Sequence, residues 1–293
     1  MKRICTALLA IRDCKAAAKD HFQAMQTILP NRGVLALAGE DRIGFLQGLV
    51  SNDVRLAGPD RIIYACLLTP QGRFLHDMFI YGETDRLLIE CEADRRDDFL
   101  KRLKMFALRA KIELTDVTKE YGVEVAWPGG DGLPDPRHSG LGSRKLVSPG
   151  ISDPETYALY DRHRLRLGVP DGSRDMAVGD ALPMENNIDA LHGIAWDKGC
   201  YMGQELTARM NYRGLVKKGP RVVRVEGPAL AAGTILLADG KEIGEMRSSN
   251  GDVGLALLKR DFTGERIVMG ETVLGIDVIT TDGCHSERSE ESL

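Results

Sequence analysis

Lys198-Gly199-Cys200-Tyr201-Met202-Gly203-Gln204-Glu205 sets a single thiol between two glycines. Glycine lets the backbone take positive φ and lets another group come close. Lys198 supplies positive charge beside the thiol. Gln204 and Glu205 begin a predicted helix, whose first N–H groups add to the same field, and both effects favour a thiolate. Arg209, Tyr212, Arg213, Lys217 and Lys218 follow, interleaved with Met210, Leu215 and Val216. This is the most basic stretch of the chain, and it suits an anionic small molecule. The residues alone leave a plainer reading open: a buried, inert cysteine beside a solvated basic face.

The rest of the composition narrows the class. The chain has 293 residues, 43% hydrophobic and 28% charged, enough to bury the core of one large domain or of two to three smaller ones. A net charge of −4 argues against a dedicated binder of duplex nucleic acid. No apolar run approaches the roughly 18 residues of a membrane span. The short apolar run near the start is broken at Arg12 and Asp13, before a signal-peptide core can form. Cys5, Cys14, Cys66, Cys91, Cys200 and Cys284 show no metal-ligand spacing. Sparse, unpaired cysteines predict a reducing, cytoplasmic setting.

Working outward, residues 33–38 and 62–68 read as strands, with Asp41 as the cap of a helix between them. Thr69-Pro70-Gln71-Gly72 predicts a hairpin into a strand from Phe74. Residues 93–108 are amphipathic and helical, carrying Phe99, Leu100, Leu103 and Phe106 on one face. Strands and helices mix without a βαβ repeat, so the class is α+β. A helix over 157–167 follows a Gly- and Pro-rich loop region. From Arg221 short strands alternate with Gly-containing turns, which predicts a small all-β barrel. The expected divisions are an N-terminal extension over 1–24, an α+β domain over 25–127, a middle α+β portion over 128–220, the barrel over 221–279 and a disordered tail over 280–293.

The octapeptide resembles K-G-C-[FY]-x-G-Q-E, the signature of the YgfZ proteins and their mitochondrial relatives in iron–sulfur assembly. Phe45-Leu46-Gln47-Gly48 with Ser51-Asn52-Asp53, and Leu68-Thr69-Pro70-Gln71-Gly72-Arg73 with Asp77, are similar to two further blocks of that family. Arg166-Leu167-Gly168 and Pro170 are similar to its linker. The resemblance spans roughly 30–280, and ordered companions make it far more specific than a lone glycine motif.

The resemblance implies the three-part cloverleaf of the glycine-cleavage aminomethyltransferase, two α+β portions and a C-terminal β-barrel around a central cavity. It implies tetrahydrofolate or a derivative as cofactor, with Lys198, Gly199, Tyr201, Gly203, Gln204, Glu205, Arg209 and Arg213 as binding residues. It implies service to iron–sulfur proteins, with Cys200 as functional thiol and transient cluster ligand. One thiol cannot complete a cluster site, so the cluster is expected to be shared with an assembly protein or client enzyme. The alternative is a tetrahydrofolate-dependent aminomethyltransferase or demethylase. Against it, the aminomethyltransferases carry an acid where Cys200 stands, and another where this chain has His76. Transfer needs such carboxylates to handle cationic intermediates and folate protons. His76 and Asp77 are adjacent on a strand and are expected to face opposite sides.

Overall fold

The computed structural model describes residues 24–276. The expected extension, Ala24 apart, and the expected tail lie outside them. The first portion runs β1 (Met25–Ile28), β2 (Arg32–Ala38), α1 (Arg42–Gln47), β3 (Ile62–Leu68), β4 (Phe74–Gly82), β5 (Arg86–Glu92), α2 (Arg96–Phe106), β6 (Glu113–Asp116) and β7 (Gly122–Trp127). Five of these strands form an antiparallel sheet in the order β3-β4-β5-β2-β6. Its central strands are apolar at nearly every position because both faces are covered. On β3, Ile63, Ala65 and Leu67 join Leu46 of α1 and Phe99 and Leu103 of α2 in one core. Ile62, Tyr64, Cys66 and Leu68 alternate to the other face and meet Val125, Trp127, Tyr160 and Ile188 in a second. Asp41 precedes α1 without a side-chain cap; its carboxylate accepts from the Lys111 N–H at 2.8 Å instead.

The middle portion adds β8 (Leu133–Pro134), β9 (Ser143–Val147), α3 (Pro154–Arg166), α4 (Gly172–Asp175) and α5 (Gln204–Arg213). Its sheet has the order β1-β7-β9-β8. The expected boundary after residue 127 is therefore no seam: Thr27 pairs with Val125, and Val125 with Arg144, in one continuous sheet. Local patterning cannot show this, because the partners of β7 lie far away in sequence on both sides. Helix α3 starts three residues earlier than expected, where Asp153 accepts from the Thr156 N–H at 3.1 Å and Pro154 occupies the first turn.

The last portion is β10 (Lys218–Glu226), β11 (Ile235–Ala238), β12 (Lys241–Asn250), β13 (Val253–Lys259), β14 (Arg266–Met269) and β15 (Thr272–Ile276). The order is β11-β12-β13-β10-β15-β14, and the two edge strands come within 8 Å of each other, Cα to Cα, so the sheet curls into a nearly closed barrel. Val223, Leu236, Met246, Ala256 and Leu274 fill it. The barrel sits against α3, with Leu165 packed on Val222, Val253 and Leu255.

The hairpin between β3 and β4 positions the Cys200 segment. The Gly72 N–H donates to Thr69 O at 2.8 Å, and Gly72 takes φ 76°. Gly203, at φ 83°, lies directly against it: a Cβ there would stand 2.6 Å from Thr69 O and 2.9 Å from Leu68 Cβ. Gly203→Ala therefore combines a left-handed backbone with a clash against main chain. A loss of roughly 2–4 kcal/mol is expected in urea unfolding, and an unchanged midpoint would contradict this contact.

Candidate functional site

Residues 192–202 run along the loop after α1 and bond to it repeatedly. Ser51 Oγ donates to Gly193 O at 2.5 Å, and Asn52 Nδ2 to His192 O at 2.7 Å. The Ala195 N–H donates to Ser51 O at 3.0 Å and the Met202 N–H to Gly48 O at 3.2 Å. Lys198 Nζ donates to three carbonyls, Gln47 O at 2.8 Å and Val50 O and Asn52 O at 2.7 Å each. Between Lys198 and Met202 the chain lifts away. Gly199 and Cys200 are exposed, while Tyr201 turns back into the core at 7% exposure. The thiol thus rides a short arch tied down at both feet.

This geometry revises the role expected of Lys198. Its ammonium is buried, 6% exposed, and points into a cage of carbonyls at the end of α1, where helix dipole and loop both favour a cation. It is not available to an anionic ligand. Burial pulls its pKa down to about 8, with Asp53 resisting and Arg55 assisting. Tyr201 is likewise inward, 5.2 Å from the ammonium across its ring. Gln204 opens α5, Glu205 and Arg209 pair with each other on its exposed face, and Arg213 lies exposed in its last turn. Gly199 meets open space.

A different set of residues lies at the centre of the molecule. Glu90 of β5, fully buried, accepts from Arg32 Nε at 2.8 Å, Arg144 Nη1 at 2.6 Å and the Tyr81 hydroxyl at 3.0 Å. Asp135 accepts from Arg137 Nη2 at 2.9 Å and Arg144 Nη2 at 3.2 Å. Burial alone would raise the Asp135 carboxyl, but these two guanidiniums outweigh it and hold it well below the usual range. Phe79 lies under all three arginines, with the Arg144 guanidinium 3.9 Å from its ring centre. The pocket left beside them has a free volume of about 10 Å³, space for roughly one water. Asn31 Oδ1 and Arg32 Nη2, both buried, have no hydrogen-bond partner there.

Sharing Asn31, Tyr157, Asp161 and Asp171 with that pocket is an outer cleft of about 550 Å³. Arg95, Arg174 and Asn250 line its polar wall, together with Glu92. The Glu92 carboxylate accepts from the Ser173 N–H at 2.9 Å and the Ser173 hydroxyl at 2.5 Å. Burial, then the nearby Asp77 charge, raise its pKa despite those bonds. None of the eight residues expected to bind a cofactor lines this cleft or the inner pocket. The arch and the cleft are separate features.

Residues 217–280 match the model for the CAF17 C-terminal beta-barrel domain. The mitochondrial iron–sulfur cluster assembly factor IBA57 of Homo sapiens is 33% identical over 271 residues, covering 78% of this chain and 76% of that protein. The chain belongs to the IBA57 family. The IBA57 homolog of Mycosarcoma maydis is 36% identical over an aligned length of 219, a match that covers 65% of this chain but only 54% of the fungal protein. The glycine cleavage aminomethyltransferase T of Bartonella henselae superposes with a TM-score of 0.67 over 87% of this chain and 85% of its own, at 14% identity. At that identity the likeness shows the fold: the expected cloverleaf, α+β with a C-terminal barrel.

The octapeptide's resemblance implies two groups, an iron–sulfur cluster and a folate. Among the described residues no group of three or more His, Cys, Asp or Glu is placed to hold a metal ion, so Cys200 offers one ligand only. A pteridine ring does not fit the inner pocket, which the arginines close. The outer cleft does have the volume of a small-molecule site, about 300–1,000 Å³. Its lining offers acceptors in the unpaired Asn31 amide oxygen and the half-buried Glu92 carboxylate, and donors in the Arg95 and Arg174 guanidiniums, which here pair with Glu92 and Asp161.

His76 has a structural place. It is 1% exposed, stacks against Phe99 at 4.9 Å and bonds Asp98 through Nε2 at 2.9 Å. Asp77 faces the other side, where the Tyr64 hydroxyl donates to it at 3.2 Å. Burial, with Arg95 assisting, lowers the His76 pKa to about 4 from 6.5. The folded state therefore prefers the neutral ring, and the unfolded chain protonates first as pH falls. The stabilisation is complete above about pH 6.5 and is lost progressively toward pH 4. Urea midpoints should fall through that window in the wild type, and His76→Phe should flatten the fall; parallel curves would refute the assignment.

Proposed function

We propose that this protein serves the assembly or repair of iron–sulfur proteins, with Cys200 as its working thiol. The observation that carries the reading is the exposed Cys200 on an arch fixed at both ends, in a chain of the IBA57 family. Buried cysteines are inert by comparison: burial pushes the Cys91 thiol up to about 12 and the Cys66 thiol well above its ordinary range. A single thiolate holds one corner of a cluster. The other ligands come from a partner, an iron–sulfur carrier or client with its own free cysteines. A cytoplasmic location is part of this reading and rests on the thiol chemistry alone.

Replacing the protein in cells with Cys200→Ser should abolish the gain in iron–sulfur enzyme activity that the wild type provides. Mixed with a cluster-loaded carrier, the variant should also show no carrier-dependent cluster absorption. Full support by the serine variant would end the thiol hypothesis.

Tetrahydrofolate, on the same reading, occupies the outer cleft. Glu92 and Asn31 meet the heterocycle, and Arg95 and Arg174 meet the glutamate tail. Titration of tetrahydrofolate against the full chain should saturate, and Glu92→Gln with Arg174→Ala should weaken binding by about a hundredfold. Saturation unaffected by the double variant would move the ligand elsewhere. The transferase alternative is less well supported, because Glu90, Asp135, Asp161 and Asp175 are all engaged by guanidinium groups.

A further inference from the structure

Helix α2 buries Phe99 and Leu103 in the core it shares with β3 and α1, but its last turn and the chain just beyond do not end as a polar surface. Met105, Phe106 and Leu108 are 63%, 46% and 88% exposed. Single exposed apolar side chains are ordinary; three so close together, one of them almost wholly in solvent, form a projecting apolar tip. Leu100 carries the apolar surface back along the helix, where with Met105, Lys101 and Lys104 it borders an open groove of about 430 Å³.

The charges around the tip have one sign. Lys101, Arg102, Lys104, Arg109 and Lys111 follow one another with no acid between them, in a chain whose net charge is −4. Arg102 pairs with Asp98 at 2.8 Å and Lys111 with Glu40 at 2.9 Å. Lys101, Lys104 and Arg109 are exposed and make no ion pair among the described residues. The one acid on the groove, Asp97, sits in the first turn of α2 beside Arg96 Nη2 at 3.0 Å. The next acid along the chain, Glu113, already opens β6.

This combination selects among occupants. A second copy, meeting the tip with its own tip, would set three unpaired cations against the same three. A protein partner must offer a pocket of matching shape, because these side chains project instead of lying in a plane. An anionic lipid surface takes them as they stand, apolar atoms below the headgroups and cations among the phosphates. We propose that the end of α2, from Lys101 to Lys111, is a peripheral docking site for an anionic lipid surface. Met105, Phe106 and Leu108 enter the headgroup region, and Lys101, Lys104 and Arg109 meet the lipid phosphates. The contact is not a span: no helix of the described residues is long and apolar enough to cross a membrane. The tip lies at the opposite end of α2 from Arg95, about 16 Å along the helix, so docking and the outer cleft are separate. The proposal stands independently of the readings of Cys200 and of tetrahydrofolate.

Co-sedimentation of the full chain with lipid vesicles tests it. Vesicles of equal parts phosphatidylcholine and phosphatidylglycerol should carry the protein down, vesicles of phosphatidylcholine alone should not, and high salt should release it. Each lysine near an anionic surface contributes about fivefold, so Lys101→Gln with Lys104→Gln should weaken partition about 25-fold. Met105→Ser with Leu108→Ser should weaken it about tenfold. All four side chains are exposed, so both double variants should keep the wild-type urea midpoint, which separates lost docking from lost fold. A chain that ignores the anionic vesicles, or partition that both double variants leave unchanged, would overturn the proposal. Partition that needs the lysines but not Met105 and Leu108 would also overturn it, because charge alone then suffices. Poly-glutamate serves as the acidic polypeptide probe. If it binds the wild type, binds the lysine variant weakly, and the vesicles bind neither, the tip docks a protein and the lipid proposal falls.

Discussion

Glu90 has no contact with water, yet it carries a charge that must be matched on the spot. It is matched by Arg32 from β2 and Arg144 from β9, residues of two different sheets. Arg144 passes the same demand on to Asp135, and Asp135 to Arg137. Charges removed from water are costly unless paired with good geometry, so the two sheets are held to one relative position. The third portion is fixed by the same kind of contact. Arg164 on α3 reaches Asp175 at 2.7 Å and the Ser248 hydroxyl of β12 at 2.9 Å, while Asp175 accepts from the Ser248 N–H at 3.0 Å. Apolar packing of Leu165 on the barrel supplies area but little direction; the guanidinium supplies the direction.

This choice of glue decides where ligands can go. Arginines stacked on Phe79 fill the middle of the cloverleaf and leave room for about one water. What remains open is the cleft beyond them, which Asn31 also lines and where its buried amide oxygen still lacks a partner. The thiol stands apart from both. Glu90, Asp135, Asp161 and Asp175 are all engaged by guanidinium groups that hold the three portions together, and Glu92 is the carboxylate left on the wall of the open cleft.

Much of the architecture was legible in the residues. Apolar runs marked β2, β3 and the start of β4, Pro70 and Gly72 marked the hairpin, and the switch to short strands marked the barrel within three residues. The octapeptide located the arch. What could not be read were relationships that depend on distant partners. Lys198 beside a cysteine looked like an electrostatic aid to the thiolate, because nothing local reveals that residues 47 to 52 wait with unmet carbonyls. Likewise the sheet that joins β1, β7 and β9 has no signature in any one segment. Arg32, Arg137 and Arg144 are of a residue type that is mostly exposed, and buried arginines announce themselves only through their partners.

The arrangement of the arch also bears on how a single thiol could work. A site that supplied every ligand would bind a cluster tightly and release it slowly, whereas one ligand from a fixed, exposed position leaves the rest of the coordination open to exchange. Fixity matters as much as exposure. A free loop would lose conformational entropy each time it met a metal, roughly 1–2 kcal/mol per residue ordered. Bonds at Lys198 and Met202 meet that cost during folding, and they do so with main-chain oxygens rather than with a second ionisable side chain. On the proposed reading, the buried lysine serves the thiol by holding its loop still, and the field it exerts is secondary.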